Sequence, residues 1–334
     1  MKKTLIFGGG AIGSFLAYCL RSSKHKIYFL CRKKHYQMCK EKGLKIKVYK
    51  NYSLISSSTI KPNKNFVVIN NLKKLKKKNK FDYIFITTKI NENMKKIYYA
   101  IDPYINQNTA IIPPCTAVPF WWYKSLEIQK QKFFEKHLDR IFMKNINRKN
   151  IIGMTMWLSG KIEKPGIVRI SHIQRGLPLK EVFSEFKMKA NLLRRDIKKK
   201  CRSPYVKNIF SEIFVKSINA LAFNLIALDT KKNNLELSRD SVAKKKIFKI
   251  LTEGDNILIK NRIKVFQSVN SRIHQTLSSK LHTMSMLNAY NNNHPIELVK
   301  LWKSFDNLIR GLKMEMSFTK KIFFSVRKKI QKNY

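Results

Sequence analysis

The sequence predicts an α/β chain in two parts, a parallel sheet with crossover helices followed by an all-helical region. Three observations carry this. Through the first ninety residues short apolar runs alternate with helical patterns, as they do in successive strand–helix–strand units. A glycine cluster, Gly8-Gly9-Gly10-Ala11-Ile12-Gly13, stands between the first apolar run and the first helical pattern. After about residue 185 the strand signal fades, and the rest of the chain reads as helices.

In chain order, strands are expected at 4–7, 26–30, 44–48, 83–87 and 110–113. The run LKKLKKKNK at 72–80 reads as a solvated basic connector. Residues 151–171 read as two strands joined through Lys164-Pro165-Gly166, a turn by composition. Helices are expected at 209–228, 281–290 and 296–312, the last two flanking Asn291-Asn292-Asn293-His294-Pro295. There is no internal repeat. At 334 residues the chain is about two ordinary domains long, divided here into 1–185 and 186–334.

The charge is extreme, with 69 Lys+Arg against 20 Asp+Glu and a net +49. Taken alone this suggests a nucleic acid or an anionic membrane surface as partner. Lys, Asn and Ile are in excess throughout, however, including inside segments that otherwise read as ordinary strands and helices. Such chain-wide enrichment is the mark of an AT-biased coding sequence, and neither a basic tail nor a familiar nucleic-acid motif accompanies it. No specific nucleic acid and no membrane is therefore expected as a partner; the oligomeric state, monomer or homodimer, stays open.

Cys19, Cys31, Cys39, Cys115 and Cys201 show neither a C-x-x-C pair nor zinc-like spacing, so neither a disulfide framework nor a metal is indicated. A reducing, cytoplasmic compartment fits. Lys2-Lys3 before an uncharged run from Thr4 to Leu20 imitates a signal peptide, but three consecutive glycines interrupt that run. No other stretch reads as the ~20 apolar residues of a membrane span.

The glycine cluster carries chemistry. In a strand–turn–helix of this spacing Gly8 permits the tight turn, Gly10 lets the backbone approach a pyrophosphate, and Gly13 lets helix and strand pack closely. The N–H groups of Gly9, Ala11 and Ile12 belong to the same cradle, at a helix N-terminus that favours phosphate charge. This is a Rossmann-type dinucleotide site. After the second strand the chain reads Cys31-Arg32-Lys33-Lys34, where an NAD enzyme presents Asp or Glu to the ribose. With no carboxylate there and Arg32 placed to pair with a 2′-phosphate, the expected cofactor is NADP(H).

Several stretches resemble the ketopantoate reductase family. These are GGGAIGSFLAYCL, FLCRKKHYQMCKEKGLKI, FITTKINENM, PCTAVPFWWY, KIEKPGIVRISHIQRGLPL, KSINALAFNLIAL and HTMSMLNAYNNNHPIEL. The resemblance spans most of the chain in the right order. It implies an NADPH-dependent reduction of 2-dehydropantoate to (R)-pantoate in pantothenate biosynthesis, with the nicotinamide in the cleft between domains. It assigns Lys216 as general acid, Asn224, Ser285 and Glu297 to the substrate with Asn219 as a weaker candidate, and Lys89 and Thr116 to the cofactor. Lys216 and Asn224 are two i+4 steps apart and so lie within roughly 80° on one helix face. Glu297, just after Pro295, also suits plain helix capping.

The chain departs from the family pattern at Thr116 and Ala117, where Asn-Gly is usual, at Ala220, where an asparagine is usual, and at Leu225, where a proline is usual. The alternatives are a related NADP-dependent reductase of another 2-oxo acid, and a basic nucleic-acid-associated protein that keeps the fold.

Overall fold

The protein is described by a computed structural model covering residues 1–50, 52–76, 79–89, 94–113, 116–127, 148–280 and 282–331. It divides into two compact units, one of residues 1–115 and 141–209, the other of 116–140 and 210–334. The single cut expected after residue 185 is therefore not the one observed. Two segments change sides: residues 186–209 group with the first unit, and 116–140 with the helical one.

The first unit is built on a five-stranded, all-parallel sheet. Its strands are β1 (Lys2–Phe7), β2 (His25–Leu30), β5 (Phe66–Ile69), β6 (Tyr83–Ile86) and β7 (Ala110–Ile112), in the order β5-β2-β1-β6-β7. Helices α1 (Ala11–Leu20), α2 (Lys33–Glu41) and α3 (Met94–Ile101) belong to the intervening connections. A second sheet joins β3 (Leu44–Lys50) and β4 (Ser53–Ile60) to β9 (Trp157–Lys164) and β10 (Ile167–Gly176), in the order β4-β3-β10-β9. The hairpin at Lys164-Pro165-Gly166 forms as expected, with Gly166 at φ +80°. The strand expected at 44–48 forms too, but it pairs in parallel with β10 across more than a hundred residues and lies outside the main sheet. Strands β8 (Ile152–Met154) and β11 (Leu179–Glu181) make a short antiparallel pair.

Helix α1 is buried from Gly13 to Leu20 because it is enclosed by β1 and β2 on one side and β3, β9 and β10 on the other. A helix buried all round must be apolar all round, and this accounts for the uncharged N-terminal run. Phe15, Leu16 and Phe29 are 1% exposed or less, each stabilising the core by roughly 1.5–3 kcal/mol. Helix α4 (Lys187–Lys198) covers α1 and β11. It is tied to the sheet by Asp196, whose Oδ2 accepts from Lys2 Nζ at 2.5 Å and pairs with His25 Nε2 at 3.0 Å. Burial lowers the His25 pKa, while the hydrogen bonds from Lys2 and His25 hold that of Asp196 down against its own burial.

The second unit is helical: α5 (Ile209–Thr230), α6 (Asn234–Arg239), α7 (Ser241–Lys260), α8 (Val269–Leu277), α9 (Ser285–Asn291), α10 (Leu298–Gly311) and α11 (Ser317–Gln331). Helix α5 is long and apolar enough to cross a membrane, contrary to the expectation that no stretch beyond residue 20 would be. In the fold its most apolar window is 83% buried within the protein, so its composition is that of a core helix. A Cβ on Gly254 of α7 would lie 2.4 Å from Ile218 Cγ1, so glycine there sets the close approach of α7 to α5. Trp121 and Trp122 of the short turn Phe120–Ser125 are fully buried, and the Trp122 indole N–H donates to the Phe210 carbonyl at 2.8 Å.

Candidate active site

The turn after β1 has the geometry that its glycines predict. Gly8 sits at φ +119°, a region open to glycine and strained for other residues. A Cβ on Gly13 would be 2.1 Å from the Gly8 carbonyl oxygen and 2.7 Å from Thr87 Oγ1, so the first turn of α1 rests on the strand with no room for a side chain. Gly9 is held as tightly, its Cβ position lying 2.2 Å from that of Cys31. Gly10 is the contrast. A Cβ there would meet nothing within 4 Å, and no side chain caps α1. The N–H groups of Ala11, Ile12 and Gly13 start the helix ahead of the first backbone bond at Ser14, which donates to the Gly10 carbonyl at 2.9 Å. Open space over a helix start of this kind fits a pyrophosphate.

Residues 4–114 match the family model of ketopantoate reductase, PanE/ApbA. The match takes in the glycine turn and the parallel strands of the first unit. No curated protein matches the chain by sequence. Among solved structures the fold matches D-mandelate dehydrogenase in ternary complex with NADH and anilino(oxo)acetate, at 18% identity, TM-score 0.76 and 99% coverage of both chains. It also matches 2-dehydropantoate 2-reductase from Geobacter metallireducens GS-15, at 17% identity and TM-score 0.75 over 98% of this chain and 99% of that one. A third match is the PanE/ApbA family ketopantoate reductase from Ralstonia eutropha JMP134, at 14% identity, TM-score 0.74 and 99% of both. These likenesses show the architecture, a Rossmann-type parallel sheet followed by helices.

Within the matched stretch a residue not singled out from the sequence completes the turn. Thr87, directly after β6, donates its hydroxyl to the Gly8 carbonyl at 2.5 Å, and its N–H to the Phe7 carbonyl at 2.9 Å. It pins the glycine turn to the neighbouring strand; its place at a strand end beside the cluster was the only available signal. Lys89 is exposed two residues further on. Arg32 is exposed at the N-cap of α2, after the buried Cys31 that follows β2, with no carboxylate beside it in sequence. Thr116 is exposed in the chain leading to the buried tryptophan pair.

In the helical unit two of the separated candidates converge. Asn224 on α5 accepts the N–H of Met286 at 2.8 Å and the hydroxyl of Ser285 at 3.4 Å, and its own amide donates to the Ala220 carbonyl at 2.7 Å. Asn224 thereby serves the first turn of α9 from 61 residues away. Asn219 lies elsewhere on α5, with its amide oxygen accepting from the buried Arg272 at 3.2 Å. Lys216 is half-buried, and burial pushes its pKa down from 10.5 to about 8. Glu297 occupies the N-cap of α10 but forms no side-chain cap bond, so the capping role that its position suggested is not how its carboxylate is used.

Proposed function

We propose that this chain is a reductase of 2-oxo acids, with 2-dehydropantoate as the first candidate substrate and (R)-pantoate as product. The reading rests on a feature in each unit: a dinucleotide-shaped glycine turn, open at Gly10, in the first, and a half-buried lysine whose pKa stands at about 8 in the second. The bound cofactor, NADP(H) by the absence of a carboxylate after β2, supplies the hydride. Arg32 holds its 2′-phosphate, the backbone of Gly8 to Gly13 its pyrophosphate, and Lys89 and Thr116 contribute further contacts. Lys216 gives its proton to the oxygen of the carbonyl being reduced; a pKa near the working pH suits a general acid, since it is largely protonated yet gives the proton up readily. Asn224, Ser285 and Glu297 hold the carboxylate and hydroxyl of the substrate.

The 2-oxo acid class is supported by the PanE/ApbA domain and by a structural neighbour named for mandelate, solved with an oxoacetate. Thr116, Ala220 and Leu225 stand where the family pattern differs, and they favour a related 2-oxo acid as the alternative substrate. NADPH oxidation is to be followed spectrophotometrically with 2-dehydropantoate and a panel of branched and aromatic 2-oxo acids. Turnover with 2-dehydropantoate at the highest kcat/KM is expected; preference for another member reassigns the substrate, and no turnover with any removes the reductase reading.

A further inference from the structure

Arg272 on α8 is a cation almost without solvent contact, 1% exposed. Its guanidinium donates through Nη2 to the carboxylate of Asp255 on α7 and through Nη1 to the amide oxygen of Asn219 on α5. Three helices meet at this one side chain. Stability is a poor reason for it, because a buried ion pair can often be replaced by apolar packing of the same volume at no loss. The cluster is also incompletely satisfied, since Arg272 Nε and Asp255 Oδ1 are buried with no hydrogen-bond partner among the described residues. Burial raises the Asp255 carboxyl and lowers the Arg272 guanidinium, so each charge is held against the cost of removing it from water.

What the cluster does achieve is orientation. An asparagine amide has an accepting oxygen and a donating NH2, whereas a guanidinium only donates. The bond from Arg272 therefore fixes which end of Asn219 is engaged and leaves the NH2 as the other. Asn219 is one turn from Lys216 on the same helix, roughly 60° around it. At the next position Ala220 offers no polar group. Asn219 is thus the polar residue one turn from Lys216, and to serve as a donor it needs a partner to hold its rotamer.

We propose that Arg272, anchored by Asp255, is a positioning residue that holds Asn219 as a fixed hydrogen-bond donor to an oxygen of the 2-oxo acid beside Lys216. This rests on the reductase reading above and names a specificity device in the same site. The decisive variant is Asn219→Asp in the full chain, because a carboxylate still accepts from Arg272 while the NH2 donor is gone. Steady-state kinetics with NADPH and 2-dehydropantoate, or the best acid of the panel, are compared with thermal unfolding. Expected is a rise in KM for the 2-oxo acid of roughly ten- to a hundredfold with a much smaller change in kcat, and a lowered unfolding temperature, since a second buried carboxylate then shares one guanidinium. Arg272→Lys, which keeps a cation for Asp255 but loses the fork, should raise the same KM severalfold, and the double variant should add little to Asn219→Asp alone. If Asn219→Asp leaves KM unchanged while the unaltered chain turns over, the cluster is structural and only this inference falls. If the unaltered chain reduces no 2-oxo acid, both readings fall together.

Discussion

The glycine turn and helix α5 hold their candidate groups by opposite means. The turn is a backbone device: Gly9 and Gly13 are there because no side chain fits, and Gly10 because the space above it is open. Helix α5 is a side-chain device: beside the half-buried Lys216 it carries two buried asparagines held by partners on other helices, Met286 and Ser285 for Asn224 and Arg272 for Asn219. A backbone site tolerates almost no change but announces itself in a few consecutive letters. A side-chain site spreads over the chain, and its parts acquire meaning only when the fold assembles them.

The comparison breaks first at Lys216. Lys216→Ala should lower kcat by about 10²–10⁴, the usual loss on removing a general acid, with little change in thermal stability. In the unaltered protein kcat should fall as pH rises through about 8, because the lysine must carry its proton to act. Stability should move the other way. The folded-state pKa lies below the unfolded value, so between about 8 and 10.5 the unfolded chain binds more protons, and this group's contribution to stability rises with pH. A flat pH–rate profile together with full turnover in Lys216→Ala would remove the lysine from the chemistry.

The turn offers a matched pair. Gly13→Ala places a Cβ 2.1 Å from a carbonyl oxygen and should destabilise the first unit by about 1–3 kcal/mol, read by chemical denaturation. Gly10→Ala enters open space and should leave stability unchanged while weakening cofactor binding, read by quenching or transfer of nicotinamide fluorescence. Equal effects of the two substitutions on stability would mean that the turn is merely a packing feature.

Smaller effects sharpen the contrast. Arg32→Ala should reduce the preference for NADPH over NADH by roughly ten- to a hundredfold, the equivalent of a charge-assisted bond of about 1.5–3 kcal/mol; equal Michaelis constants in both proteins would exclude the assignment. Asn224→Ala removes the acceptor for the Met286 N–H and should cost about 1 kcal/mol of stability, as loss of a cap does. Glu297→Ala, which removes no cap bond, should leave the unfolding temperature in place and raise KM for the 2-oxo acid.

Legibility in the sequence follows the same division. Helix α5, the parallel strands β1, β2, β6 and β7 and the Pro165-Gly166 hairpin were readable because local patterning and turn chemistry set them, whereas β5, a four-residue strand of the same sheet, was not expected. Strand β4 was not: its residues SLISSSTI show no alternation, and only Ile60 is buried, since it lies at a sheet edge. The membership of β3 was hidden for another reason, being fixed by pairing with a strand more than a hundred residues away. Thr87 and Arg272 passed unnoticed because a threonine after a strand and one cation among 69 carry no local mark. Glu297 shows the converse, a position that reads as a cap and is not used as one.

The way the first unit closes has a consequence for how the chain is made. Its second sheet needs β10 beside β3, and its N-terminal strand is fastened by Lys2 and His25 to Asp196 on α4. A ribosome adding about 5–20 residues each second therefore delivers the glycine turn many seconds before β9 and β10, which enclose α1. During that interval the most apolar helix of the unit has no cover on one side. Contacts so distant in sequence also slow the search for the native arrangement, so assembly of this unit should be the late and vulnerable step in the life of the polypeptide.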